Sequence, residues 1–198
     1  MSEALPEFCV ADQQDVAWME RVRQGDTGAF QKLIETHQAR VIGTVAKMLG
    51  DGTDSEDIAQ QVFIRVWNSA SRYEPSAKFT TWLFTITRNL VFNEARRRKR
   101  HPVVLLEREP EERSFQSHDT QAKSPAALML ETEMQTAIQA AIDALPEVQR
   151  MAVVLRRYQD VSYEEIAEIL NLSVPAVKSV LFRARTELRE KLRDYLDG

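Results

Sequence analysis

Apolar residues return every three or four positions through most of the 198-residue chain. That spacing gathers them on one face of an α-helix, and no run alternates apolar with polar in the period of a strand. A short amphipathic helix is expected over residues 16–23, stopped at Gly25. A second helix carries Phe30, Leu33, Ile34, His37, Val41, Val45 and Leu49 on one stripe and ends at Gly50 and Gly52. Thr53 with Glu56 three residues on has the form of a capping box. The helix it opens aligns Ile58, Val62 and Val66 beside Ala59, Phe63, Trp67 and Ala70. Its acidic first turn suits the positive end of the helix dipole. Residues 73–78, with Pro75, read as a loop, and a long helix follows over residues 80–100. Phe79, Trp82, Leu83, Ile86 and Leu90 form its buried stripe.

The periodicity then fades. Residues 101–123 hold Pro102, Pro110, many acids, Ser and Gln, the composition of a linker. Helical spacing resumes at Ser124 and Pro125, a cap followed by proline in the first turn. Leu130, Met134, Ile138, Ala141, Ile142 and Leu145 mark one helix. Val148, Met151, Ala152, Leu155 and Tyr158 mark the next, which starts at Pro146. The expected fold class is therefore all-α: two small helical domains, residues 16–101 and 125–198, joined by a flexible linker over residues 102–124.

The strongest local signal lies between Ser162 and Arg185. Ser162 with Glu165 is a second capping box, followed by Ile166, Ala167 and Leu170 on the inner face of a short helix. Asn171, Leu172 and Ser173 form the turn, since asparagine tolerates the left-handed conformation that such a turn requires. Ser173 can cap the next helix, and Pro175 falls in its first turn, where a missing N–H costs nothing. Ala167 is small where the second helix must cross closely. Val177 and Val180 face back onto Ile166 and Leu172, and Lys178, Ser179, Phe182, Arg183 and Arg185 occupy the opposite face. Two capped helices joined by a tight turn, with apolar positions that match across it, form a helix-turn-helix. Its second helix fits the DNA major groove, where Arg and Lys reach guanine acceptors and phosphates.

Charge sharpens this reading. The 26 Lys and Arg against 30 Asp and Glu leave a net charge of −4, which taken alone argues against a nucleic-acid partner. The charges are segregated, however. Arg96, Arg97, Arg98, Lys99 and Arg100 are consecutive, Asp51, Asp54, Glu56 and Asp57 cluster elsewhere, and residues 107–133 are acidic. Such a chain suits one anionic and one cationic partner. Cys9 is the only cysteine, so no internal disulfide or thiolate metal site can form. The N-terminus lacks a signal-peptide pattern, and no run approaches the ~20 apolar residues of a membrane span. A cytoplasmic protein without membrane insertion is expected. His37, His101 and His118 have no partners at ligand or triad spacing, and no glycine-rich phosphate loop is present, so no enzyme activity and no cofactor are expected. His37, on an apolar line, is expected in the core.

Two blocks together carry a family resemblance. One comprises DSEDIAQQVFIRVW (residues 54–67) and FTTWLFTITRNLVFNEARRRKR (residues 79–100). The other is LPEVQRMAVVLRRYQDVSYEEIAEILNLSVPAVKSVLFRARTELREKL (residues 145–192). In this order the chain resembles sigma factors of the extracytoplasmic-function (ECF) group of the sigma-70 family, which keep two helical domains, sigma-2 and sigma-4. The resemblance implies an alternative sigma factor that binds RNA polymerase core, recognises the −35 element as duplex and opens the −10 element. It assigns Asp54, Glu56, Asp57, Gln60 and Phe63 to the β′ clamp helices of the polymerase, with the β flap as a second contact. It assigns Tyr73, Thr80, Trp82, Arg88, Asn89, Asn93, Arg96 and Arg97 to −10 DNA, with Tyr73 and Asn89 at a pocket for one flipped base. It assigns Ser173, Lys178, Ser179, Phe182, Arg183 and Arg185 to −35 DNA. An anti-sigma factor is a further implied partner. Val180 stands where many relatives carry a basic residue, and Asn93 where aspartate is frequent. The residues by themselves also admit a stand-alone helix-turn-helix regulator, whose N-terminal half would bind a ligand or dimerise.

Overall fold

The computed structural model describes residues 10–50, 55–75, 77–100 and 125–196. Among these, the regular structure is helical throughout. The chain order is α1 (Val10–Arg23), α2 (Thr27–Leu49), α3 (Ser55–Ser69), a 3₁₀ turn (Ala70–Arg72) and α4 (Phe79–Arg100). After residues 101–124 come α5 (Pro125–Asp143), α6 (Glu147–Tyr158), α7 (Tyr163–Leu170), α8 (Val174–Lys191) and a short α9 (Arg193–Leu196). The expected capping box at Thr53, the acidic Asp54, the linker, the Ser124 cap, His101, His118 and Cys9 lie outside the described residues.

The ends of α2 follow from local chemistry. Asp26 accepts a hydrogen bond from the Ala29 N–H at 3.0 Å and so satisfies a donor that the first turn leaves open. At the other end Gly50 takes φ +69°, a left-handed conformation that suits glycine, and returns its N–H to the Ala46 carbonyl. Between these caps Leu33, His37, Val41, Val45 and Met48 are buried, and α1, α3 and α4 pack around them.

Helix α1 begins at Val10, six residues earlier than its apolar pattern indicates. The reason is that its inner face carries Asp12 and Asp15 where apolar residues would mark it. Asp15 is buried and its Oδ2 lies 3.0 Å from His37 Nε2, which places His37 in the core as its spacing implies. Asp12 Oδ2 meets Lys78 Nζ at 3.6 Å. A buried carboxylate is tolerated when it is paired, and period counting cannot see the pairing.

The C-terminal helices wrap a second centre built from Met151, Leu155, Ile166, Ile169, Val177 and Leu181. It is continuous with the first. Helix α7 packs along α4, and α5 and α6 pack along α2, so one hydrophobic cluster runs through both halves.

Candidate nucleic-acid and partner interfaces

The helix-turn-helix is built as its sequence dictates. Ser162 Oγ accepts from the Glu165 N–H at 3.2 Å, and the Glu165 carboxylate accepts from the Ser162 N–H at 2.9 Å. Two of the donors that the start of α7 leaves open are thereby satisfied. Asn171 adopts φ +54° and closes α7, while the Leu172 N–H reaches back to the Ala167 carbonyl at 2.9 Å. Ser173 Oγ then accepts from the Ala176 N–H at 3.3 Å and starts α8. Val177, Leu181 and Ala184 bury the inner face of α8, and Val180 packs at its margin.

Lys178, Ser179, Phe182, Arg183 and Arg185 are all exposed on the outer face. Phe182 is 71% exposed, the most exposed of the large apolar side chains described. A bare aromatic beside two cations suits a major groove, where apolar groups meet thymine methyls. Phe182 and Arg183 also border a groove of about 510 Å³ with Thr186, Glu187, Glu190 and Lys191. The assignment by resemblance stopped short of these last four. Helical spacing from Phe182 was the available signal.

Helix α4 carries the −10 candidates. Trp82, Asn89, Asn93 and Arg96 are spaced by seven, four and three residues, so they share one line along the helix. Asn89 and Asn93 are exposed, whereas Thr80, Trp82 and Arg88 are half-buried. Asn89 Oδ1 accepts from Arg88 Nη2 at 2.6 Å, and Asn93 Oδ1 accepts from Arg96 Nη2 at 3.2 Å. The buried Arg88 Nε has no partner among the described residues, and burial holds that guanidinium below its ordinary pKa. Arg97 is bidentate on Glu94 at 2.7 and 2.8 Å, and Arg98 Nε meets the same carboxylate at 2.9 Å. The paired arginines hold the Glu94 carboxyl down at about 2. The basic run is therefore an ordered continuation of α4 with internal ion pairs.

Tyr73 departs from its expected place. It does not line an open pocket, because its side chain is only 3% exposed. Its ring lies 5.1 Å from that of Trp82 and 6.2 Å from that of Phe79, edge-on to the latter. Its hydroxyl has no hydrogen-bond partner among the described residues. Burial, with Asp15 and Asp12 nearby, pushes the phenol up to about 12. The aromatic stripe of α4 draws Tyr73 inward, and there it supports Trp82 from beneath.

The third surface lies between α2 and α3. Glu56, Gln60 and Ile64 follow one another at helical spacing on the outer face of α3, with Asp57 beside them. Ile64 is 57% exposed. With Phe30, Ile34, Ile42 and Phe63, the residues Glu56, Gln60 and Ile64 line a groove of about 480 Å³. Phe63 is buried as its floor, packed edge-on against Phe30 with ring centroids 6.5 Å apart. An apolar groove edged by Glu56, with the exposed Asp57 next to it in α3, fits an amphipathic partner with basic flanks. Among the described residues no group of three or more His, Cys, Asp or Glu is placed to hold a metal, and no helix is long and apolar enough to cross a membrane.

Two family descriptions match the two halves: sigma-70 region 2 over residues 33–101, and sigma-70 region 4 over residues 135–188. Over 190 residues the chain is 31% identical to the RNA polymerase sigma-H factor of Pseudomonas aeruginosa, covering 94% of this chain and 98% of that one. It is 33% identical over 188 residues to the ECF RNA polymerase sigma-E factor of Escherichia coli, covering 92% and 96% respectively. The fold is similar to that of CnrH solved with the cytosolic domain of CnrY, at 24% identity and a TM-score of 0.66 over 91% of this chain and 98% of that one. It is also similar to RpoE of Bartonella quintana solved with the anti-sigma factor NepR, at 23% identity and a TM-score of 0.64 over 83% and 96%. The chain belongs to the sigma-70 family of RNA polymerase sigma factors, in its ECF group.

Proposed function

We propose that this protein is an alternative sigma factor that binds core RNA polymerase and directs initiation at promoters with a −35 element read by α8 and a −10 element opened on α4. The observation that carries this is the presence, in one chain, of a complete helix-turn-helix with a bare reading face and a second DNA-directed helix ending in five consecutive cations. Duplex recognition needs the first, and a melted strand needs cations beside hydrogen-bonding side chains such as Asn89. The groove between α2 and α3 supplies the docking site for the β′ clamp helices, through Glu56, Asp57, Gln60 and Ile64 over the Phe63 floor. Tyr73 acts through Trp82 rather than by touching a base. The sigma factor itself performs no chemistry; the polymerase does, and the cytoplasm is where the two meet. The β flap is the expected contact of the C-terminal half. An anti-sigma protein that covers the same polymerase-facing surfaces is the expected inhibitor, and RpoE of Bartonella quintana, similar in fold, is solved in complex with an anti-sigma factor. A stand-alone regulator would leave the acid-edged groove without a use.

Run-off transcription with core polymerase on a genomic promoter library is the direct test. Promoter-dependent transcripts are expected, and their absence from every template would refute the reading. Arg183→Ala is expected to weaken binding at the preferred −35 site by about 1–3 kcal/mol if it reads a base. An equal loss on all sequences would make Arg183 a phosphate contact.

A further inference from the structure

We propose that Arg88 and Arg96 are positioning residues for Asn89 and Asn93: they hold the two amide oxygens, so that α4 presents amide N–H donors to the melted strand and selects base edges that carry hydrogen-bond acceptors. The inference rests on the sigma-factor reading for its ligand, but not for its geometry.

Residues adjacent in sequence do not face each other on a helix. Arg88 nevertheless folds its guanidinium onto its neighbour, and Nη2 donates to Asn89 Oδ1 at 2.6 Å. Arg96, three residues beyond Asn93, makes the second such pair. Its Nη2 donates to Asn93 Oδ1 at 3.2 Å, while its Nε is held by the Phe92 carbonyl at 3.2 Å. Both asparagines are exposed, and each is bonded to an arginine of its own helix.

Chemistry fixes which atoms meet. A guanidinium carries donors only, so an amide beside it turns its oxygen to the cation. The nitrogen then points away, and both of its N–H donors are left for another partner. Bonding to a cation also polarises the amide and strengthens those donors. A free asparagine turns its amide over at will and offers donor or acceptor to whatever base arrives. The bridged asparagine offers donors, which suits a base read by the acceptors on its exposed edge once it has left the stack. An aspartate at position 93, frequent in the sequences this chain resembles, would also meet Arg96 but could offer acceptors only. The second donor is therefore particular to Asn93.

Arg88 is poorly placed for the other task of a cation on this face, a phosphate contact. Its side chain is half-buried, and its Nε is buried without a partner among the described residues. Phosphate contacts hold register, whereas base contacts carry sequence information. Arg88 belongs to the second kind, acting through Asn89.

Polymerase holoenzyme with the full chain, offered a promoter whose −10 bases are randomised, gives the preference at each position. Asn89→Ala marks the position that Asn89 reads, where the parent should favour one base by about tenfold or more. Arg88→Met keeps the buried stem and removes the donors. The preference there should fall to about threefold or less, with other positions and the salt dependence of binding as in the parent. A salt slope lower by about one, with the preference intact, would make Arg88 a phosphate contact and overturn the proposal. Asn89→Asp keeps the bridge to Arg88 but offers acceptors only. It should lose the parental base by about tenfold and favour one with an exocyclic amino group. Retention of the parental base would show that the amide oxygen does the reading, and would equally overturn the proposal. In the free chain, exchange of the Arg88 Nη protons with water should be slow by NMR and become fast in Asn89→Ala. Fast exchange in the parent would remove the geometry. Slow exchange in a chain that yields no promoter-dependent transcript would refute the sigma-factor reading alone.

Discussion

Tyr73 shows how one side chain can be placed by its neighbours rather than by its loop. Its ring belongs to a stack with Phe79 and Trp82, and its hydroxyl is buried without a partner among the described residues. An unpaired buried hydroxyl costs its desolvation without return. Tyr73→Phe is therefore expected to leave stability unchanged or raise it by up to about 1 kcal/mol in denaturant unfolding. Promoter opening should also be retained, and a loss of opening with intact stability would restore Tyr73 to the base pocket. Glu94 offers a second test. Its carboxyl is held at about 2 by Arg97 and Arg98, below its ordinary 4.5. A depressed folded-state pKa gives stability that is complete above the unfolded value and is lost as pH falls toward about 2. The Glu94 carboxyl signal followed by carbon NMR should thus stay ionised at pH 4. A midpoint near 4.5 would mean that Arg97 and Arg98 are already released to solvent.

At the scale of the element, the α7–turn–α8 unit depends on caps and on one small residue. Ser162 and Glu165 satisfy each other's backbone donors, and Ser162→Ala should cost about 1 kcal/mol, read by thermal unfolding. Ala167 is buried where α8 crosses, with the Leu172 N–H bonded to its carbonyl. Ala167→Leu overfills that crossing and should destabilise the C-terminal half by about 1–3 kcal/mol. It should also abolish duplex binding with no change at Lys178 or Arg183. Unimpaired binding would show that the two helices need not hold this angle. This element was fully legible beforehand, because its caps, turn and inner face involve residues at most a few positions apart. Helix α1 was not, because Asp12 and Asp15 occupy the inner positions that apolar periodicity would mark.

The whole molecule presents three candidate surfaces around a single core. The groove between α2 and α3 should be separable from the DNA surfaces. Ile64→Asp, at an exposed position, is expected to weaken core polymerase binding by about tenfold, the equivalent of about 1.4 kcal/mol, and to leave duplex binding by the free chain unchanged. Co-elution and duplex titration check the two halves of that statement. Equal loss in both would mean that the substitution unfolds the N-terminal half.

The residue order alone determined the helices apart from the first turns of α1, the helix-turn-helix, the outward Lys178, Phe182 and Arg183, and the ECF resemblance, because each rests on periodicity, capping or local spacing. Folding in three dimensions decided the rest. It put Tyr73 inside, tied Arg97 and Arg98 to Glu94, set Phe63 as the floor of a groove rather than a free anchor, and joined Arg40 to Gln159 across 119 positions of sequence. Pairings of that range leave no period to read, since nothing local to Arg40 or to Gln159 says which surface each will meet.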